Sequence, residues 1–292
     1  MILNKKYQEL FSSKARYYII TGGRGSGKSF AVTVFLTLLT MTEGIRVLFT
    51  RYTMTSAHLS IIPEFLEKII LLGYENTFSV NKAEVVNVKN KSDILFRGLK
   101  TSAGNQTGNL KSLTNVSNWV LDEAEELVDE DIFDTIDLSI REKDIQNRII
   151  LILNPVTKEH WIYKRFFEEK GVEAGFNGFK DNVCYIHSTY EDNRENLSDS
   201  FLERINTIKH NNFKKYQHRI LGSWLDRADG VVFDNWSIGE FNPDNVQTSC
   251  GMDFGFSIDP DSLTEIAIDK KKQRIYLKEH LYKNGLKSNE LA

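Results

Sequence analysis

The 292-residue sequence is 41% hydrophobic and 26% charged with only four prolines, the composition of a soluble globular chain long enough for one large or two medium domains. Its net charge of −3 excludes a protein that coats nucleic acid over its whole surface, while leaving room for a local basic groove. No apolar run reaches the roughly 18 residues of a membrane helix, the N-terminus lacks the apolar core of a secretory signal, and two distant cysteines, Cys184 and Cys250, suit neither a disulfide framework nor a zinc site, so a reduced cytoplasmic protein is expected.

Taken in chain order, "YYIIT" (Tyr17–Thr21) reads as a buried strand that runs through glycines into a helix from about Ser29 to Thr42. "RVLFTRY" (Arg46–Tyr52) is a second buried strand. A helix follows, with Thr55 or Ser56 as its N-cap and Gly73 as its stop. Thr77–Leu99 alternates and reads as a meander of short strands. "VSNWVLDEA" (Val116–Ala124) is a third buried strand ending in acids, residues 128–142 form an amphipathic helix, and "NRIILILNP" (Asn147–Pro155) is a fourth buried strand. Strands apolar on both faces that alternate with helices predict a mostly parallel sheet covered on both sides, an α/β fold.

After Pro155 the pattern changes. "HWIYKRFFEEKG" and Ser198–Trp224 read as helical with "VCYIHSTY" between them, which predicts a smaller, mainly helical appendage or lid over 159–225 on a core of about 1–158. Residues 226–246 read as a linker rich in Asp, Gly and Asn. A strand-rich unit begins near 247 and is too short before residue 292 to hold a core of its own, so the sequence is expected to end inside a second domain.

Gly22-Gly23-Arg24-Gly25-Ser26-Gly27-Lys28-Ser29 fits G-x-x-x-x-G-K-[ST] without a mismatch, between a buried strand and a helix. In such a loop successive N–H groups turn inward and the helix N-terminus adds positive potential, so a triphosphate is the expected anion. Lys28 would reach the β- and γ-phosphates, and the Ser29 hydroxyl would ligate Mg²⁺. In "NWVLDEAEE" a hydrophobic strand ends in Asp122, placed to hold the metal through its water shell, and in Glu123, placed to polarise a water for attack on the γ-phosphate. Glu125 and Glu126 read instead as solvated acids at a helix start. The Asp-Glu pair favours hydrolysis of ATP over transfer to a small acceptor.

The strand Arg46–Tyr52 is expected to lie between the loop strand and the acid strand, the arrangement of ring-forming and translocating P-loop ATPases of the RecA-like (ASCE) class. Arg24 could bend over the γ-phosphate in cis, and Lys111, Arg97 and Arg141 are candidates to act in trans from a neighbouring subunit. Asn154 is read either as a γ-phosphate sensor or as a turn-forming residue before Pro155.

"GGRGSGKS", "VLDEAEE", "ILNP…HWIYKRF", "RILGSWLDRADGVVF" and "GMDFGFSIDP", in that order, resemble the large terminase subunit of tailed bacteriophages, close to its PBSX-type branch. The resemblance covers nearly the whole chain. It implies an ATPase that drives double-stranded DNA into a viral procapsid, followed by an RNase-H-like endonuclease that cuts concatemeric DNA. As partners it implies DNA, a small terminase subunit, the portal protein and neighbouring copies in a ring, with a monomer in isolation also open. By the same resemblance Arg24 is the loop arginine, Ser29 and Asp122 serve the metal, Glu123 activates water, Asn154 belongs to the coupling motif, and Lys111 is the trans-acting basic residue.

Asp253 in "CGMDFGFSIDP" matches the first-strand carboxylate of an RNase-H-like site, one of several acids that hold two Mg²⁺ or Mn²⁺ ions for phosphodiester hydrolysis. Asp259, Asp261 and Asp269 are read as surface acids, and no competent nuclease site is expected within this chain. "KHNNFKKYQHR" (Lys209–Arg219) and "DKKKQR" (Asp269–Arg274, a hairpin turn) are basic clusters that could meet DNA or simply be solvated. The rival readings are a helicase or repair ATPase, which a second P-loop-type domain would mark, and a non-catalytic nucleotide-binding scaffold.

Overall fold

The apolar runs owe their lack of alternation to a sheet packed on both faces. β1 (Tyr17–Gly22) sends Tyr18 and Ile20 into one core and Ile19 into the other. The strands Asn118–Asp122, Arg148–Leu153 and Val183–Ser188 divide in the same way, with Val120, Ile150 and Cys184 on the first face and Trp119, Leu151 and Tyr185 on the second. Each fully buried Ile, Leu or Val contributes on the order of 1.5–3 kcal/mol relative to exposure.

The computed structural model describes residues 3–12, 14–53, 57–101, 104–105, 114–226, 236–243, 246–255 and 259–284. The chain divides into two compact units, residues 1–231 and 232–292. Among the described residues, no helix is long and apolar enough to cross a membrane.

In the first unit the strands are β1, β2 (Arg46–Thr53), β3 (Phe78–Val80), β4 (Glu84–Asn87), β5 (Asp93–Thr101), β6 (Gly104–Asn105), β7 (Asn118–Asp122), β8 (Arg148–Leu153), β9 (Gly178–Lys180) and β10 (Val183–Ser188). They form one ten-stranded sheet in the order β3-β4-β5-β2-β7-β8-β1-β10-β9, with β6 paired to β5. The stretch from β5 to β10 in that order is parallel throughout, and the edges are antiparallel. Helices α1 (Lys28–Leu39) and α2 (Ala57–Leu71) cover one face through Val32, Phe35, Phe65 and Ile69. Helix α3 (Glu130–Asp137) and the turns around Trp161 and Phe166 cover the other. This is the mostly parallel α/β sheet flanked by helices that the sequence predicts.

Two placements differ from expectation. The strand between β1 and β7 is β8, paired with both, whereas β2 lies on the far side of β7. And residues after 158 are not simply a helical appendage: β10 pairs in parallel with β1 along its whole length, from Tyr17 opposite Val183 to Gly22 opposite Ser188. The helical residues that follow are Tyr190–Asn196, α4 (Asp199–Asn211) and a last turn at Tyr216–Ile220, gathered on the small core of Tyr190, Ile205, Tyr216 and Ile220.

The second unit contains a three-stranded antiparallel sheet of β11 (Thr248–Asp253), β12 (Pro260–Asp269) and β13 (Arg274–Asn284). Asp253 closes β11 and is exposed. Two acids read as surface residues are buried: Asp261, whose carboxylate accepts from Gly255 N–H, and Asp269, which accepts from Lys271 and Lys272 N–H at 3.0 Å and so shapes the predicted hairpin turn.

Candidate functional site

The loop from Gly22 to Lys28 joins β1 to α1 at the C-terminal edge of the sheet, with Gly27 at φ +80°, a left-handed conformation that suits glycine. It rests on a segment that the sequence did not connect with it. Arg24 N–H donates to Arg219 C=O at 3.0 Å, and a Cβ placed on Gly23 would lie 1.8 Å from the Ile220 carbonyl oxygen. The "RILGSW" motif is therefore an outer wall of the loop. From the other side Tyr7 reaches in, its buried hydroxyl donating to Ser26 C=O at 3.1 Å and meeting Ser188 Oγ.

Lys28 is buried, and its ammonium donates to Gly22 C=O at 2.7 Å, Gly23 C=O at 3.1 Å and Asn154 Oδ1 at 3.1 Å. Burial lowers its pKa to about 8, against the upward pull of Glu125 and Asp122. Asn154 follows β8, the strand between β1 and β7, and so bridges the loop to the acids: its Nδ2 donates to Glu125 Oε1 at 3.1 Å. Neither of its two expected roles included this bridge.

Asp122 ends β7 with only 4% of its surface exposed. Its Oδ2 accepts from Arg51 Nε at 2.8 Å and Nη2 at 2.5 Å, and the same guanidinium lies 3.6 Å from Glu123. Sequence reading passed over Arg51; its signal was a cation at the C-terminal end of an otherwise apolar strand. Glu123 adopts φ +54°, rare for a residue other than glycine, which turns the chain sharply out of the strand. Burial raises the pKa of the Glu123 carboxyl, and Arg51 opposes this. Glu125 corrects an expectation, since it is half-buried rather than solvated. Its Oε2 is buried without a hydrogen-bond partner, and burial raises its pKa. Glu126 is exposed, as expected.

One pocket is lined by the glycine loop, Lys28 and Ser29 together with Arg51, Asp122, Glu123, Asn154, Leu197 and Phe201. A smaller cavity beside it is lined by Ser29, Asp122 and Glu64. These are the hard oxygen donors that Mg²⁺ takes, and Mg²⁺ needs only one or two of them beside phosphate and water.

Of the other candidates, Arg24 lines the pocket, whereas Arg97 and Arg141 do not. Arg97 donates to the carbonyl of its neighbour Phe96, and Arg141 is exposed. Lys111, Thr55 and Ser56 lie outside the described residues. Lys214, Lys215 and Arg219 are exposed and His218 half-buried.

Residues 14–223 match the family model described as phage terminase large subunit. The chain belongs to the phage terminase large subunit family. Its terminase relatives include the large subunit of Bacillus phage SPP1, 29% identical over 279 residues, which cover 89% of this chain and 62% of that protein. The PBSX phage terminase large subunit of Bacillus subtilis strain 168 is 24% identical, over 99% of this chain and 70% of that protein. Among solved structures, the large terminase of a thermophilic bacteriophage aligns with TM-score 0.62 at 16% identity, covering 96% of this chain and 69% of that one. The large terminase ATPase domain of Thermus phage P74-26 aligns with TM-score 0.56 at 17% identity, covering 77% and 94%. At these identities the structural likeness is one of fold. The chain thus spans 62% of the SPP1 terminase, 70% of the PBSX terminase and 69% of the thermophilic phage terminase.

Proposed function

We propose that this terminase chain hydrolyses Mg²⁺-ATP and couples that reaction to moving double-stranded DNA into a procapsid. The observation that carries the reading is the convergence of Lys28, Ser29, Asp122 and Glu123 on one pocket, although β1 and β7 lie about a hundred positions apart in sequence. Family membership supports the motor role, and the fold shared with a large terminase whose solved structures hold ADP and ATP-γ-S supports nucleotide binding. Ser29 and Asp122 would hold the magnesium ion, which when bound neutralises phosphate charge.

In the proposed reaction the loop N–H groups and Lys28 hold the phosphates, and Arg24 adds charge at the γ-phosphate. Glu123 takes the proton of a water attacking in line; the bond from the γ-phosphorus to the bridging oxygen breaks, leaving ADP and phosphate. Asn154, held between Lys28 and Glu125, would report the nucleotide state to the rest of the fold. Lys111 would complete the site of a neighbouring copy in a ring. Residues 1–225 would form the ATPase, 226–246 the linker and 247–292 the start of an RNase-H-like nuclease in which Asp253 is a metal ligand for Mg²⁺ or Mn²⁺. The portal protein and the small terminase subunit would be its partners in the host cytoplasm.

The test is steady-state ATP hydrolysis by Glu123→Gln beside the unsubstituted chain, with nucleotide binding measured in parallel. A fall of about 10²-fold or more with binding retained is expected of a general base. Equal turnover in both chains would refute the hydrolytic reading, and DNA uptake by empty procapsids tests the motor role.

A further inference from the structure

Glu64 sits on α2, outside every motif of the phosphate site, yet it lines the small cavity that Ser29 and Asp122 also line. The remaining walls are apolar or uncharged: Val32, Thr33, Phe49 and Ile152. Its neighbour one turn on, the buried Lys68, places its ammonium 2.9 Å from Glu67 and 4.5 Å from the ring centre of Phe30. Burial raises the pKa of the Glu64 carboxyl, the charges of Lys68 and Arg51 pull it down, and those of Asp122 and Glu67 push it up. The half-buried carboxylate shares that cavity with the Asp122 carboxylate and the Ser29 hydroxyl, an oxygen-lined corner that suits a metal-bound water.

We propose that Glu64 is an outer-sphere carboxylate of the magnesium site, accepting hydrogen bonds from metal-bound water on the side turned away from the phosphates. The inference rests on the Mg²⁺-nucleotide reading above. Mg²⁺ keeps several of its waters in protein sites, and a carboxylate that orients such water tunes metal affinity without touching the ion. Glu64 is thus a positioning residue.

The test is binding of the fluorescent N-methylanthraniloyl derivative of ADP by the full chain, titrated with Mg²⁺ and repeated in EDTA. For Glu64→Gln the Mg²⁺ concentration at half-effect is expected to rise about tenfold, with EDTA affinity within twofold of the unsubstituted chain. Glu64→Asp, which keeps the charge one methylene further back, is expected to fall between the two; it carries the comparison alone should the Gln variant fail to fold by circular dichroism. Unchanged Mg²⁺ dependence, or an equal loss in EDTA, overturns the role of Glu64 while leaving the nucleotide reading intact. No Mg²⁺ dependence in the unsubstituted chain overturns both.

Discussion

Arg51 donates both Nε and Nη2 to one oxygen of Asp122, at 2.8 and 2.5 Å. The Asp122 side chain is 6% exposed and that of Arg51 22%, so the pair is sheltered at its acidic end. Removing the guanidinium leaves a buried carboxylate uncompensated. Arg51→Met is therefore expected to lower the unfolding free energy by about 2–3 kcal/mol in EDTA buffer, read by urea denaturation. Arg51→Met combined with Asp122→Asn should cost less than the two single changes added together. Strict additivity would mean that the contact contributes nothing.

Gly23 has no room for a side chain. Its Cβ would lie 1.8 Å from the Ile220 carbonyl oxygen and 2.3 Å from its carbon, both backbone atoms. Gly23→Ala must push the phosphate loop away from the Tyr216–Ile220 turn, at a cost of about 1–3 kcal/mol and with loss of most nucleotide affinity. Thermal denaturation and ADP titration measure the two effects. A variant as stable as the unsubstituted chain would show that the wall formed by residues 219–222 yields freely.

The Tyr7 hydroxyl is buried between the Ser26 carbonyl and Ser188 Oγ. In Tyr7→Phe the ring packing survives while two polar partners lose a bond, which predicts a loss of about 1–2 kcal/mol. Because Ser26 belongs to the loop, ADP affinity is expected to fall several-fold as well. Isothermal titration separates this from a purely global effect, which would leave affinity unmoved.

His187 pairs with Thr21 Oγ1 at 2.9 Å, and burial, assisted by Lys6, holds its pKa below the usual histidine range. The folded chain thus keeps the ring neutral at pH values where the unfolded chain protonates it. Stability from this group is complete above pH ~6.5 and is lost as the pH falls from there through the depressed folded value. His160 is lowered by burial as well and adds to the same trend. Melting temperatures between pH 7.5 and 5 should fall less steeply in His187→Gln; an identical slope would remove His187 as a cause.

Local pattern made the phosphate loop, the acid strand and the run of buried strands legible, because each is written within ten or so consecutive residues. The neighbours of those strands were not. Arg46–Tyr52 looked like the strand between loop and acids because it falls between them in sequence, but lateral order is decided by side-chain packing across the sheet, and Arg148–Leu153 fills that place. The same limit hid Val183–Ser188, whose six residues resemble an isolated strand among helices until β1 is seen beside them. Arg51 and Glu125 were missed for a related reason. A charged residue at a strand end or helix start is ordinarily hydrated, and only the fold brings Asp122 and Asn154 against these two.

The polar groups of the pocket come from the ends of β1, β2, β7 and β8, four adjacent strands that the chain visits far apart in sequence. The full binding surface therefore exists only while these four strands keep their places in the sheet. Saturation with nucleotide should slow amide hydrogen exchange along all four strands together by a common factor of 1 + [L]/Kd, reporting cooperativity of the entire sheet rather than the rigidity of one loop.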